Sequence, residues 1–177
     1  MNTEERRTRL LDRLKKTEAP VSGAALAREF AVSRQIIVGD ISIIRAMGTK
    51  VYATPRGYLI PESGEIANLL ATITCRHDGR GLRRELDIIV DNGGRIRDVI
   101  VEHPLYGEIR VDLLLNTRRD VAEFIRRMEQ CQAQPLLIVT GGSHLHTIEV
   151  PDEATLLAIK EELRAEHILV EEDGRRV

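Results

Sequence analysis

The chain has 177 residues and a formal net charge of −2; 42% of the residues are hydrophobic, 31% charged and 3% aromatic, with no Trp and two Cys. That length admits one medium domain or two small ones. So few aromatics argue against a base-stacking RNA platform, and Cys75 and Cys131 cannot make a disulfide framework.

The charge is unevenly placed. Residues 1–60 carry 11 Lys/Arg against 6 Asp/Glu, and the remainder carries 15 against 22. A basic front and an acidic back point to a front that alone meets a polyanion. The N-terminus MNTEERRTRL has no apolar h-region, and no segment approaches ~18 consecutive apolar residues. A soluble cytoplasmic protein with reduced thiols and no membrane partner is expected.

In chain order, Glu4–Lys16 reads as a helix, with Leu10, Leu11 and Leu14 on one stripe. Ser22 is a good cap for a second helix, residues 23–30, burying Leu26 and Phe30. After the tight turn Ala31-Val32, Ser33 caps a third helix, residues 34–47, ended by Gly48. Residues 51–54 and 58–60 alternate as two short strands around the turn Pro55-Arg56-Gly57. Pro61-Glu62-Ser63-Gly64-Glu65 is the linker candidate, which divides the chain into domains at 1–61 and 66–172.

The second part is expected as a strand over 66–75 and a helix over 79–91, then strands over 95–102 and 108–115. A helix capped by Asn116 or Thr117 runs to Cys131, followed by a short strand over 134–140, a strand over 143–150, a helix from Asp152 to Ala165 and a strand over 167–170. Tight hairpins among alternating strands and helices favour an antiparallel α/β sandwich over a doubly wound sheet. The fold class expected is α+β, with a winged helix-turn-helix ahead of this sandwich.

Helix, helix, tight turn, helix and hairpin is the order of a winged helix-turn-helix. Ile37, Ile41 and Ile44 share a stripe and should face the core. Ser33, Arg34, Gln35 and Ile36 then stand at the exposed N-terminal end of the third helix. Arg and Gln suit bidentate reading of guanine and adenine in a major groove. Arg56, at the hairpin tip, can reach a phosphate or the minor groove. Double-stranded DNA is the expected partner; the bland alternative is a three-helix interaction module. The stretch Leu26–Gln35 through Asp40-Ile41 resembles the helix-turn-helix of repressors related to the biotin repressor.

In the second part, His144-Leu145-His146 is the sharpest chemical signal. On a strand, residues i and i+2 share a face ~7 Å apart, so two imidazoles can chelate one ion. Two solvated histidines on a polar face are the alternative. Glu85 falls among Leu82, Leu86, Ile89 and Val90 on the apolar side of its helix. A carboxylate there is costly unless it is paired or bound to a cation; a metal ion or a salt bridge to Arg83 or Arg84 would each satisfy it. His77 closes the preceding strand. His103 opens the turn His103-Pro104-Leu105-Tyr106-Gly107, where it is structural or lines a pocket with Tyr106. Cys75 reads as a buried thiol and His167 as a helix-end residue.

Taken together, His77 with Glu85, the His103–Gly107 turn and Ser143-His144-Leu145-His146 resemble the three-histidine ("3H") domain. A winged helix-turn-helix ahead of such a domain is similar to the niacin-responsive repressors of NAD biosynthesis, the NiaR family. That resemblance implies a divalent transition metal, nickel or zinc, held by His77, Glu85, His144 and His146. It also implies nicotinic acid as co-repressor and a homodimer on operator DNA. A metal-responsive regulator with no organic effector remains an alternative. A metallohydrolase with Glu85 or Glu102 as base is disfavoured, because the chain has no Ser/His/Asp order, phosphate loop or nucleophilic Cys signature. A non-enzyme is expected.

Overall fold

A computed structural model describes residues 2–60 and 68–170. They fall into two compact units that divide between residues 64 and 65. The Pro61–Glu65 linker candidate and the expected strand start at Ile66 lie outside the described residues. No helix among the described residues is long and apolar enough to cross a membrane.

The first unit contains α1 (Thr3–Lys15), α2 (Gly23–Glu29), α3 (Arg34–Ala46) and the hairpin β1 (Tyr52–Thr54) and β2 (Gly57–Leu59). Each helix has a side-chain cap. Asn2 Oδ1 accepts from the Glu5 N–H at 2.8 Å, Ser22 Oγ from Ala25 at 3.1 Å and Ser33 Oγ from Ile36 at 3.3 Å, each worth about 1 kcal/mol. The α3 stripe Ile37, Ile41 and Ile44 is buried with Leu10, Leu14 and Leu26. Asp40 is buried beside it. Arg6 Nε donates to its Oδ2 at 2.6 Å and Arg7 Nε to its Oδ1 at 3.0 Å, which ties α1 to α3. Burial pushes the Asp40 carboxyl up, but the hydrogen bonds from Arg6 and Arg7 outweigh that and hold it below its ordinary value.

The hairpin is bonded to the segment before α2: the Val21 N–H donates to the Tyr58 carbonyl at 2.9 Å, and the Tyr58 N–H returns to Val21 at 2.8 Å. Gly57, at φ +136°, passes so close that a Cβ would stand 2.2 Å from the Val21 carbonyl oxygen. Only glycine fits this turn.

The second unit is a four-stranded sheet with helices on one face. Its strands are β3 (Leu69–Arg76), β4 (Arg95–His103), β5 (Gly107–Leu115) and β6 (Ser143–Val150). They lie in the order β3-β6-β4-β5, every pairing antiparallel. Helices α4 (Leu82–Asp91), α5 (Arg118–Gln130) and α6 (Glu153–Ala165) bury Leu86, Ile89, Val121, Ile125, Ile159 and Leu163 in one core with Ile73, Ile96 and Ile148 of the sheet. A capping box between Thr117 and Asp120 opens α5, and Asp152 Oδ1 accepts from the Thr155 N–H at 2.7 Å to open α6. The architecture is the expected α+β arrangement.

Three segments differ from expectation. Leu136–Thr140 is a short 3-10 turn, not a strand. Pro135 precedes it without an N–H, and Gly141 and Gly142 follow at φ +63° and +101°, so the apolar run is turned back before it can pair. Residues 167–170 form one bridge, Leu169 to Cys75, in place of a strand. The helix expected from Gly79 begins at Leu82, because Asp78–Gly81 is taken up in a turn closed by the Gly81 N–H on the Asp78 carbonyl at 3.0 Å.

Candidate functional site

Three local features bring His77, Glu85, His144 and His146 together. Strand alternation aims His144 and His146 at the helix-covered face, where both are buried. Their β3 partners in register are Cys75 and Ile73. On α4, the spacing Leu82, Glu85, Leu86, Ile89 turns the carboxylate onto the apolar face, at 0% exposure. His77, just past the end of β3, folds back over the same point.

The distances are short. His77 Nε2 lies 2.6 Å from Glu85 Oε2, and His144 Nε2 lies 3.1 Å from both carboxylate oxygens. His146 Nε2 is 3.5 Å from Oε1 and, though buried, has no hydrogen-bond partner. One ligand atom from each of His77, Glu85 and His144 falls within 4.8 Å of the others. The rings meet edge to face, with centroids 4.9 Å and 5.0 Å apart.

The opposite edge of each ring sets its tautomer. His77 Nδ1 is 2.5 Å from the Asp78 carbonyl, His144 Nδ1 2.9 Å from that of Gly142 and His146 Nδ1 2.7 Å from that of Asp98. A carbonyl only accepts, so each Nδ1 carries the hydrogen. In the neutral rings every Nε2 then turns a lone pair toward an ionised carboxylate, which also only accepts. Three acceptors cannot close on a fourth unless protons or a cation sit among them. Burial pushes the Glu85 carboxyl up, but the charge of His146 and hydrogen bonds from His144 and His77 hold it well below its usual range. For His77 and His146, burial disfavours the protonated ring, but Glu85 outweighs it and raises both. The cluster is built to hold positive charge in a dry place.

Sequence reasoning did not single out the residues that frame this cluster. Gly142, at φ +101°, would put a Cβ 2.4 Å from the His77 carbonyl oxygen. Gly81 would put one 2.8 Å from the His77 ring. Asp98 lies at a register shift in β4 and supplies the carbonyl that holds His146. The glycines were visible as turn formers, but their contacts with His77 depend on tertiary folding. Cys75 is buried, its thiol pushed up by burial and by the charge of Glu85. Arg83 and Arg84 pair elsewhere, with Asp87 and with Glu162 and Glu166, so neither supplies the salt bridge open to Glu85 in the sequence reading.

His103 and Tyr106 stand apart from the four. His103 Nδ1 accepts from the Leu105 and Tyr106 N–H groups at 3.1 Å and 3.2 Å, which gives it a turn-holding role. Tyr106 leans on its ring and is otherwise exposed. Ile100 pairs with Leu145, so β4 runs on past the start of β6. The turn therefore lies at the same end of the sheet as His144.

In the first unit, Ser33, Arg34, Gln35 and Ile36 are exposed at the start of α3. A Cβ at Gly39 would meet nothing within 4 Å, so this part of the helix presents bare backbone. Arg56 is half-buried at the hairpin turn, its N–H donating to Thr54 Oγ1 at 3.2 Å. Ile43 and Met47 continue the exposed side as apolar residues.

Comparison with known proteins bears on both units. Residues 6–59 match an HTH domain and residues 70–172 a 3H domain. The chain is 45% identical over 159 residues to the probable transcription repressor NiaR of Thermotoga maritima, covering 90% of each chain. The chain belongs to the NiaR/NadR family of transcription repressors. A second relative, the transcription repressor NadR of Bacillus subtilis, is 38% identical over 150 residues, 84% of this chain and 83% of that one. Both similarities span the two units, so the family's HTH is joined here to the same type of second domain.

Proposed function

We propose that this protein is a metal-dependent, niacin-responsive repressor of genes for NAD biosynthesis or niacin uptake. It acts as a homodimer on double-stranded operator DNA, with nicotinic acid as co-repressor. The observation that carries the reading is the convergence of three Nε2 lone pairs on a buried carboxylate, with His146 Nε2 left without a partner. The naming of the Thermotoga maritima relative as NiaR supports the niacin part.

In this reading His77, Glu85, His144 and His146 hold a nickel or zinc ion, a nitrogen-rich set with one carboxylate that suits these metals over magnesium or calcium. When bound, the metal offers an electrophilic centre to the carboxylate or ring nitrogen of nicotinic acid. The chain's own residues do the rest. The carbonyls of Asp78, Gly142 and Asp98 fix the three rings and their tautomers. Glu85 brings the negative charge that offsets the cation. His103 and Tyr106 form the rim of the effector pocket. In the first unit Ser33, Arg34, Gln35 and Ile36 enter the major groove and Arg56 reaches the backbone or minor groove. A dimer sets two such helices on half-sites ~34 Å apart, or a multiple of that.

The test is a nicotinate titration of the protein–operator complex by fluorescence anisotropy, with the protein metal-loaded or chelated. Nicotinate should tighten DNA binding only in the loaded protein, with reciprocal tightening of nicotinate by DNA. No change at saturating nicotinate overturns the co-repressor reading, and metal alone switching affinity would favour a metal-responsive regulator.

A further inference from the structure

The histidine cluster leaves the other side of the second unit unexplained. There an open groove of about 550 Å³ runs between the free edge of β3 and α6. Leu69, Leu70, Leu156 and Leu157 line it, between Glu153 and Lys160. Leu70 is 59% exposed and Leu157 56%. Among the described residues, the β3 edge is bridged at its Cys75 end alone, by Leu169. An apolar strip of this kind beside an open strand edge is a surface that proteins normally cover.

The pattern on α6 says what covers it. Glu153, Leu157 and Lys160 fall at i, i+4 and i+7, so they share one face of the helix. Neither Glu153 nor Lys160 is paired with another charge among the described residues. Two copies of this face packed antiparallel about a two-fold axis beside Leu157 bring Leu157 against itself. The acid four residues before Leu157 then meets the base three residues after it, twice over. A parallel arrangement sets like charges together. The face is therefore self-complementary in the isologous sense that a two-fold dimer requires.

We propose that this groove is the homodimer interface, closed by a second copy of the chain about a two-fold axis at Leu157, with Glu153 of each protomer facing Lys160 of the partner subunit. The proposal rests on the dimeric repressor above and adds the surface that makes it. Leu69 and Leu70 extend the apolar contact along the sheet edge. The groove lies toward the other end of the β3–β6 ladder from His144, since Leu69 pairs with Val150 while His144 pairs with Cys75 and His146 with Ile73.

Sedimentation of the metal-loaded full chain over a concentration series tests it. Glu153→Lys and Lys160→Glu should each raise the dimer dissociation constant roughly tenfold, since each reversal turns two attractions into repulsions. The double variant Glu153→Lys/Lys160→Glu should restore the wild-type value, and Leu157→Asp should weaken the dimer at least as far as either single reversal. A dimeric wild type whose reversals change nothing, or whose double variant stays weak, overturns this interface but leaves the dimeric repressor standing. The groove is then covered by something other than a second copy of the chain. A wild type that stays monomeric with and without operator DNA overturns the dimeric reading and this interface together.

Discussion

Glu85→Gln separates a metal ligand from an ordinary buried ion pair. The substitution keeps shape and volume and removes only the charge. In the wild type, Glu85 meets His77 Nε2 at 2.6 Å and His144 Nε2 at 3.1 Å. A Gln amide can donate to one Nε2 lone pair of a neutral ring, so the metal-free variant should lie within about 1 kcal/mol of the metal-free wild type. A Glu85 that held the fold through an ion pair would instead cost ~3–5 kcal/mol on removal. With zinc or nickel at a hundred times its dissociation constant, the wild type gains about 2.7 kcal/mol. In a domain of ~100 residues that raises the unfolding temperature by roughly 10 °C. Even outer partners of a metal ligand cost 10–100-fold in affinity, so losing the single anionic ligand should cost ~100-fold or more. At the same metal concentration the variant then gains ~0.4 kcal/mol, a shift under ~2 °C. Differential scanning fluorimetry with and without metal reads both quantities. A variant that binds metal as tightly as the wild type, or one several kcal/mol less stable before metal is added, refutes the reasoning.

Gly142→Ala should push the His77 backbone away, because its Cβ would sit 2.4 Å from the His77 carbonyl oxygen at a φ of +101°; a loss of ~1–3 kcal/mol together with weaker metal binding is expected by calorimetry, and a fully metal-competent variant would count against the framing role of this glycine. Asp40→Asn should destabilise the first unit by roughly 2 kcal/mol at pH 7, less than a fully buried pair because Arg6 and Arg7 keep some solvent. Asp40 has a lowered folded pKa, so its contribution is complete above the unfolded value of about 3.9 and is lost as pH falls below it. Hydrogen exchange of the α3 amides should therefore separate variant from wild type at pH 7, with the gap narrowing as pH falls below about 3.9; a gap that does not change with pH would show that the ion pairs carry no weight.

How far the site was legible in the sequence follows from the range of the interactions. His144 and His146 announced themselves through a spacing of two, and Glu85 through its place among Leu82, Leu86 and Ile89. Both are local signals that survive without knowledge of the fold. His77 was legible only as the end of a strand. The residue run 134–140 misled because its apolar character is that of a strand, while Pro135 and the two following glycines decide its path. Nothing local showed that the carbonyls of Gly142 and Asp98 would fix the rings, since that depends on the β6 register and on a shift in β4.

The sequence by itself determined the order of elements, the caps that start the helices, the core stripes and the residue types suited to a metal and to DNA. These follow from periodicity and from side-chain chemistry within a few residues. Only the tertiary structure decided that four of those side chains share one dry point, which ring nitrogen each histidine turns inward, and that Glu85 has no arginine to pair with among the described residues. It also decided that, among the described residues, one face of α6 is left open beside the edge of β3. Pairings of this kind join segments tens of residues apart, and strand register sets them where local preference does not.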